Sequence, residues 1–127
     1  MSQATDFLEQ KIAEHVFGGT PYTAPATHYV ALFTTAPNDA GAGTEVTGGS
    51  YARQSMAFTV TGDTASNTAN VEFPKATASW GTVTHFAIYD AVSAGNMMCY
   101  GTLTASKAVA SGDTLRFNAG ELDITVA

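Results

Sequence analysis

Residues Tyr29 to Gln54 read YVALFTTAPNDAGAGTEVTGGSYARQ, and the fold turns on how this stretch is parsed. Tyr29 to Phe33 is a dense apolar run that leads into Thr34-Thr35-Ala36-Pro37. Proline has no N–H to give to a sheet ladder, so a strand should stop at Pro37. A segment of Asn, Asp, Gly and Thr follows, and Gly48-Gly49 then opens a second strand from Tyr51 to Phe58 and on towards Val60. The intervening residues show neither a helical period nor an apolar face, which puts them on a surface. Unstructured loops longer than about 12 residues are usually functional or disordered. The expectation is a rigid sheet presenting an exposed loop, with Asn38, Asp39 and Glu45 as its polar residues. Their order does not match an EF-hand, so a solvated turn is expected rather than a Ca²⁺ site.

Upstream, Thr5 to Phe17 is the one stretch with helical periodicity. Leu8, Ile12 and Val16 recur at i, i+4 and i+8, flanked by Phe7 and Phe17, giving a single apolar stripe. Ser2 or Thr5 can cap the start, and Asp6 and Glu9 suit the positive end of the helix dipole. Gly18-Gly19 ends the helix and Pro21 prevents its resumption. The stripe must pack on the chain's own sheets or on a neighbouring subunit. Thr20 to Thr27 is an extended connector.

Downstream, strands and turns alternate. In the second strand Ala52, Met56 and Phe58 are expected to face inward, with Arg53 and Ser55 outward. Gly62-Asp63 is a turn. Thr68 to Phe73 alternates, with Ala69, Val71 and Phe73 on one face. Val83 to Asp90 divides into Val83, His85, Ala87, Tyr89 and Thr84, Phe86, Ile88, Asp90. Met97 to Leu103, Lys107 to Ala110 and Leu115 to Phe117 are three more strands, and Leu122, Ile124 and Val126 alternate to the end. Seven or eight short strands at this spacing predict an all-β chain: a single β-sandwich or jelly-roll-like domain over residues 23–127, preceded by a short N-terminal α-helix and connector over residues 1–22.

Composition narrows the function. Eleven acids against five bases give a net charge of −6, and Lys11, Arg53, Lys75, Lys107 and Arg116 are scattered singly. Phosphate backbones and anionic lipids both need clustered bases, so neither nucleic acid nor membrane is an expected partner. Charged residues make up only 13% of the chain. A surface with so little charge to desolvate favours close contact with other proteins. The start of the chain lacks a signal-peptide pattern, which points to synthesis in a cytoplasm. The single cysteine, Cys99, lies in an apolar strand and reads as a buried structural thiol.

The residues that carry chemistry are dispersed. His15, His28 and His85 lack metal-ligand spacing. Ser79, His85 and Asp90 would put the base and its orienting acid on opposite faces of one strand. The acids Asp39, Glu45, Asp63, Glu72, Asp113 and Glu121 fall one to a loop, and Gly41-Ala42-Gly43 lacks the strand-to-helix setting of a phosphate cradle. No catalytic residue, cofactor or metal is expected, and the protein reads as non-enzymatic. Tyr22, Tyr29, Tyr51, Trp80, Tyr89 and Tyr100 would serve a carbohydrate-binding β-sandwich only if exposed; burial is the ordinary fate of such rings.

The strand Tyr29–Thr35, the run Gly48-Gly49-Ser50-Tyr51-Ala52-Arg53-Gln54, the later Trp80-Gly81-Thr82-Val83-Thr84-His85-Phe86-Ala87-Ile88-Tyr89-Asp90 and the closing Ala110 to Leu122 together resemble a family of small virion structural proteins of tailed bacteriophages. The resemblance covers roughly residues 28 to 126. It implies a virion component that binds phage capsid or tail proteins and forms a homo-oligomer, a trimer being favoured. Within it, capsid decoration (cement) is the favoured reading, because a receptor-binding fibre needs a shaft or tip for which 127 residues leave little room. A fibre-base or baseplate adaptor of the tail is the alternative. In either case Phe7, Leu8, Ile12, Val16 and Phe17 would form the interface.

Overall fold

The structure, a computed structural model, describes residues 2–125. Strand β1 (Ser2–Ala4) leads directly into helix α1 (Asp6–Val16), with Thr5 between them as the N-cap. The expected helix is therefore present, but the three residues before it form a strand. A main antiparallel sheet has the order β1-β8-β7-β2-β3, with β2 at His28–Phe33, β3 at Gln54–Met56, β7 at Gly81–Tyr89 and β8 at Met97–Val109. A second sheet joins β4 (Phe58–Thr61), β5 (Thr64–Asn67) and β10 (Asp123–Thr125) in the order β10-β5-β4. A third pairs β6 (Val71–Glu72) with β9 (Arg116–Phe117). Val126 lies outside the described residues.

One face of the main sheet packs on the two smaller sheets. Val30, Leu32, Met56, Phe86, Ile88 and Cys99 from the main sheet meet Val71, Phe73, Leu115, Phe117, Leu122 and Ile124 from the other layer. This is an all-β domain with one N-terminal helix, its core sealed between layers. Aromatic rings fill the centre: Phe73 stacks on Tyr51 and meets Trp80 and Phe117 edge-on, at centroid distances of 6.1 to 6.4 Å. The opposite face of the main sheet carries a smaller buried group, Ala31, Phe33, Ala87, Tyr89 and Met97.

Three local expectations are corrected. Residues Tyr51–Arg53 are not in a strand, Ala52 is exposed, and the remainder divides at Ala57 into β3 and β4. The hairpin partner across the Gly62-Asp63 turn is Thr64–Asn67, not Thr68–Phe73, and Ala69 is exposed. That strand reads Thr-Ala-Ser-Asn, so no apolar alternation marks it; its register is set by ladders on both sides and by buried Asn67. Asn67 donates to the carbonyls of Ala69 and Asn118 and accepts from Leu122 N–H, all at 2.9 Å. The two faces expected for β7 are also shifted. Between the pairs Val83–Lys107 and His85–Thr102, one residue of β7 stands against four of β8, Leu103 to Ser106. This bulge turns Val83 onto the core face with Phe86 and Ile88. It also explains why the sequence shows two apolar runs where one long strand, β8, is found.

His28 begins β2 and meets the Phe58 ring edge-on at 5.3 Å. Burial holds its pKa below the ordinary value. The unfolded chain therefore takes up this proton at higher pH than the folded one. The stabilisation is present above about pH 6.5 and is lost as pH falls through the lower folded value. Thermal melts at pH 7.5 and 5.5 should show a loss of stability on acidification that His28→Phe makes smaller.

Candidate functional site

The N-terminal arm is fixed to the body at one end only. β1 pairs with β8 through Ser2–Gly101, Gln3–Tyr100 and Ala4–Cys99. Thr5 is fully enclosed: its N–H donates to Met98 O, its hydroxyl proton is shared between the carbonyls of Met97 (2.6 Å) and Met98 (3.0 Å), and its oxygen caps Leu8 N–H. Thr5→Val keeps the shape and the backbone bond to Met98 but removes the three bonds of the hydroxyl. The expected cost is about 1–2 kcal/mol, read as faster amide exchange in residues 6–16 than elsewhere.

Beyond that anchor the helix contributes no buried residue. Phe7 and Leu8 are half-buried, Ile12 is 37% exposed, Val16 60% and Phe17 88%. Phe7 is held by its own arm: the Tyr22 ring meets it edge-on at 6.3 Å and Lys11 Nζ sits 5.8 Å from its centroid. Tyr22 N–H donates to His15 Nδ1 at 3.0 Å, folding the connector back on the helix. Of the two destinations the stripe had, the chain's own sheet covers only its first turn.

The Thr34–Gly49 loop is ordered by its own bonds. It returns along β2, with Thr34 N–H on Thr44 O and Val46 N–H on Leu32 O, both 2.9 Å. Asn38 Oδ1 accepts from Ala40 and Ala42 N–H and closes the tip. Asp39 O accepts from Asp6 N–H, and an Asp39 carboxylate oxygen lies 2.7 Å from the Tyr100 hydroxyl, which is also 2.7 Å from Gln3 Oε1. The hydrogen bond to Asp39, then burial, pushes the Tyr100 hydroxyl up to about 12. Asn38 and Asp39 are exposed; Glu45 is not, and here the loop departs from the exposed reading. The three residues turn to three different partners. Asp39 instead approaches Asp6 and Glu9 of the helix, three exposed carboxylates with oxygens within 4.8 Å of one another.

Glu45 is drawn down by Arg53, which was expected to face outward. Arg53 Nε and Nη2 grip both Glu45 oxygens at 2.9 Å, and the side chains are 8% and 23% exposed. Arg53 Nη1 donates to the carbonyls of Ala91 (3.0 Å) and Ala94 (2.7 Å), and its Cζ lies 3.6 Å from the Tyr89 ring centroid. Burial works against the arginine's charge, but the Glu45 hydrogen bonds and charge outweigh it, and its pKa is raised. Tyr51 completes the group, donating to Glu45 at 2.6 Å and accepting from Leu32 N–H at 3.0 Å. Burial and the Glu45 contact lift its pKa far above the usual value, so it stays a donor. An isolated acid and base flanking a tyrosine, in so charge-poor a chain, were the available signal. Beside this clamp lies a pocket of about 340 Å³ between Thr5, Phe7, Asp39, Arg53, Tyr89 and Asn96.

The other candidates lie apart. Ser79 Oγ contacts Val109 O, His85 Nδ1 contacts Thr84 Oγ1, and Asp90 caps Asn96. Burial pushes the Cys99 thiol up to about 12, which keeps it protonated and inert. Trp80 is buried with its indole N–H on Gly49 O at 2.9 Å, and Tyr51 is packed against it, so neither offers a stacking platform. No described helix is long and apolar enough to cross a membrane.

The arrangement is one of surfaces and clamps: a thinly anchored arm with an uncovered greasy end, on a body in which every buried polar side-chain atom of the described residues has a hydrogen-bond partner. No curated protein matches the chain. A family model described as Podophage GP4 fiber I protein gp80 matches residues 3–125, a span that takes in all of the described structure but the first residue of β1. By that match this is a phage virion structural protein, and the chain belongs to the Podophage GP4 fiber I protein gp80 family.

Proposed function

We propose that this protein is a non-enzymatic fibre-associated component of a phage tail, joined to neighbouring virion proteins through Ile12, Val16 and Phe17 with Phe7 and Leu8 at the root of the contact. The observation that carries the reading is the row of three large apolar side chains left open to solvent on a helix attached only at its first turn. Contiguous exposed apolar surface marks contact sites more often than chance. The fibre family favours the tail over the head surface, which sets capsid decoration behind. A protein attached to a fibre need not form its shaft, so a length of 127 residues is no bar to a place on the tail. Self-association, with a trimer favoured, belongs to the same reading.

Particles assembled with Ile12→Ser, Val16→Ser and Phe17→Ser together test it. Val16 and Phe17 are mostly exposed, so their substitutions should each leave stability within about 0.5 kcal/mol, and the more covered Ile12 should cost about 1 kcal/mol, while incorporation into particles falls to background. Wild-type incorporation would sink the proposed contact. Gold labelling that found hundreds of copies over the head, instead of a few at the tail, would restore the decoration reading.

A further inference from the structure

We infer that the pocket between the N-terminal arm and the body binds one unit of a neutral saccharide, held by the Tyr89 hydroxyl, Arg53, Asp39 and Asn96. This is independent of the contact through Ile12, Val16 and Phe17 proposed above.

Tyr89 lines the pocket and is only 8% exposed, yet its hydroxyl has no hydrogen-bond partner among the described residues. Every fully buried polar side-chain atom there has one, so the hydroxyl is a part of Tyr89 that solvent still reaches. Burial raises its pKa, so the proton stays on and the group both donates and accepts. The other polar groups on the pocket wall each keep one unused position. Arginine carries five N–H groups, and Arg53 commits four, two to Glu45 and one each to the carbonyls of Ala91 and Ala94. The fifth, on Nη2, is left over. Asn96 gives its amide to Asp90 at 3.0 Å and keeps its side-chain oxygen. Asp39 meets the Tyr100 hydroxyl with one oxygen and keeps the other. These bonds fix the groups before a ligand arrives, which lowers the entropy lost on binding.

A ring bearing hydroxyls matches this set. One spare donor, one free hydroxyl and two spare acceptors suit a ligand whose polar groups each donate and accept. Phe7 and Met97 line the same space and suit the C–H faces of such a ring. At about 340 Å³ the pocket lies near the small end of the roughly 300–1,000 Å³ range of ligand sites, room for one sugar unit. Charge turns ions away. Arg53 is already neutralised by Glu45, so an anion gains little from it and meets Asp39, with Asp6 and Glu9 close behind. A cation drawn in by those acids meets the guanidinium's spare N–H.

The test is a proton–nitrogen NMR titration of the full chain with glucose, galactose, mannose, rhamnose and N-acetylglucosamine. At least one should give saturable shifts confined to residues 39–41, 53, 89 and 94–97, with a Kd of about 1 mM as suits so small a ligand. Tyr89→Phe should weaken that sugar about tenfold and leave the urea midpoint where it was, because the hydroxyl holds nothing within the protein. Asp39→Asn, which trades a charged acceptor for a neutral one, should weaken it as well. The methyl glycoside of the same sugar separates two sources. Retained binding points to the end of a saccharide chain and lost binding to the free sugar, and either supports the site. No saturable shift with any of the sugars overturns the inference. So does binding that Tyr89→Phe leaves unchanged, or a pocket that responds to lysine or inorganic phosphate and to no sugar. A negative result leaves the helix contact standing, since incorporation into particles reads that separately.

Discussion

Arg53→Ala is expected to destabilise the protein by about 3–5 kcal/mol, because it leaves a half-buried carboxylate without its counter-charge. Glu45 loses two charge-assisted hydrogen bonds, and the carbonyls of Ala91 and Ala94 lose their donor. Ala94 sits at φ +54°, a conformation that costs a non-glycine residue energy and that the 2.7 Å bond to Arg53 helps hold. The 91–96 loop should therefore loosen together with the 44–46 segment. Arg53→Lys should rescue little, since an ammonium cannot grip both Glu45 oxygens, reach both carbonyls and lie flat on Tyr89. Arg53→Met with Glu45→Leu should cost clearly less than Arg53→Met alone, because the uncompensated charge is then gone. Urea unfolding of the four variants measures this. If the double variant were as unstable as Arg53→Met, lost packing and not the orphaned carboxylate would be the cause.

That clamp also marks where the sequence was legible and where it was not. The helix was readable to within a residue because its stripe, cap and stop signals agree. The apolar strands β2 and β7 were readable because burial leaves a dense record in side-chain type. The strand Thr64–Asn67 was not, since nothing apolar distinguishes it, and the side of Val83 was not, since a bulge obeys a neighbouring strand and not the local alternation. Arg53 was misplaced for a related reason: alternation assigns a charge to the outside, whereas here a tertiary partner eight residues back draws it in. The five stripe residues were legible as an apolar face, but whether the face was covered depended on where the arm docks. A three-residue strand with one helical turn leaves too little record to reveal that.

Gly49→Ala is the second large effect, about 3 kcal/mol, and comparison with Gly48→Ala separates its causes. Both glycines have positive φ, +75° and +57°, and Ser50 follows at +66°. At Gly48 an added Cβ meets nothing within 4 Å, so only the left-handed backbone opposes it, at about 1–2 kcal/mol. At Gly49 the Cβ would lie 2.8 Å from Trp80 Nε1 and 2.9 Å from Ala78 O, and overpacking adds about 1–3 kcal/mol. The Gly49 carbonyl also accepts from the indole and from Thr77 N–H, so displacing it frees two donors. The two strings of sequence that carry the phage resemblance, GGSYARQ and WGTVTHFAIYD, thus meet at one junction: Gly49 against Trp80, Tyr51 edge-on to the same ring at 5.5 Å, and Arg53 over Tyr89. As the chain has one tryptophan, its fluorescence reports this junction directly. Gly49→Ala should shift the urea midpoint about twice as far as Gly48→Ala and red-shift the native emission, while Gly48→Ala leaves the emission where it was. Equal midpoints for the two variants would mean that the glycine pair serves the turn alone, and that the tryptophan's close approach contributes nothing to holding the two strings together.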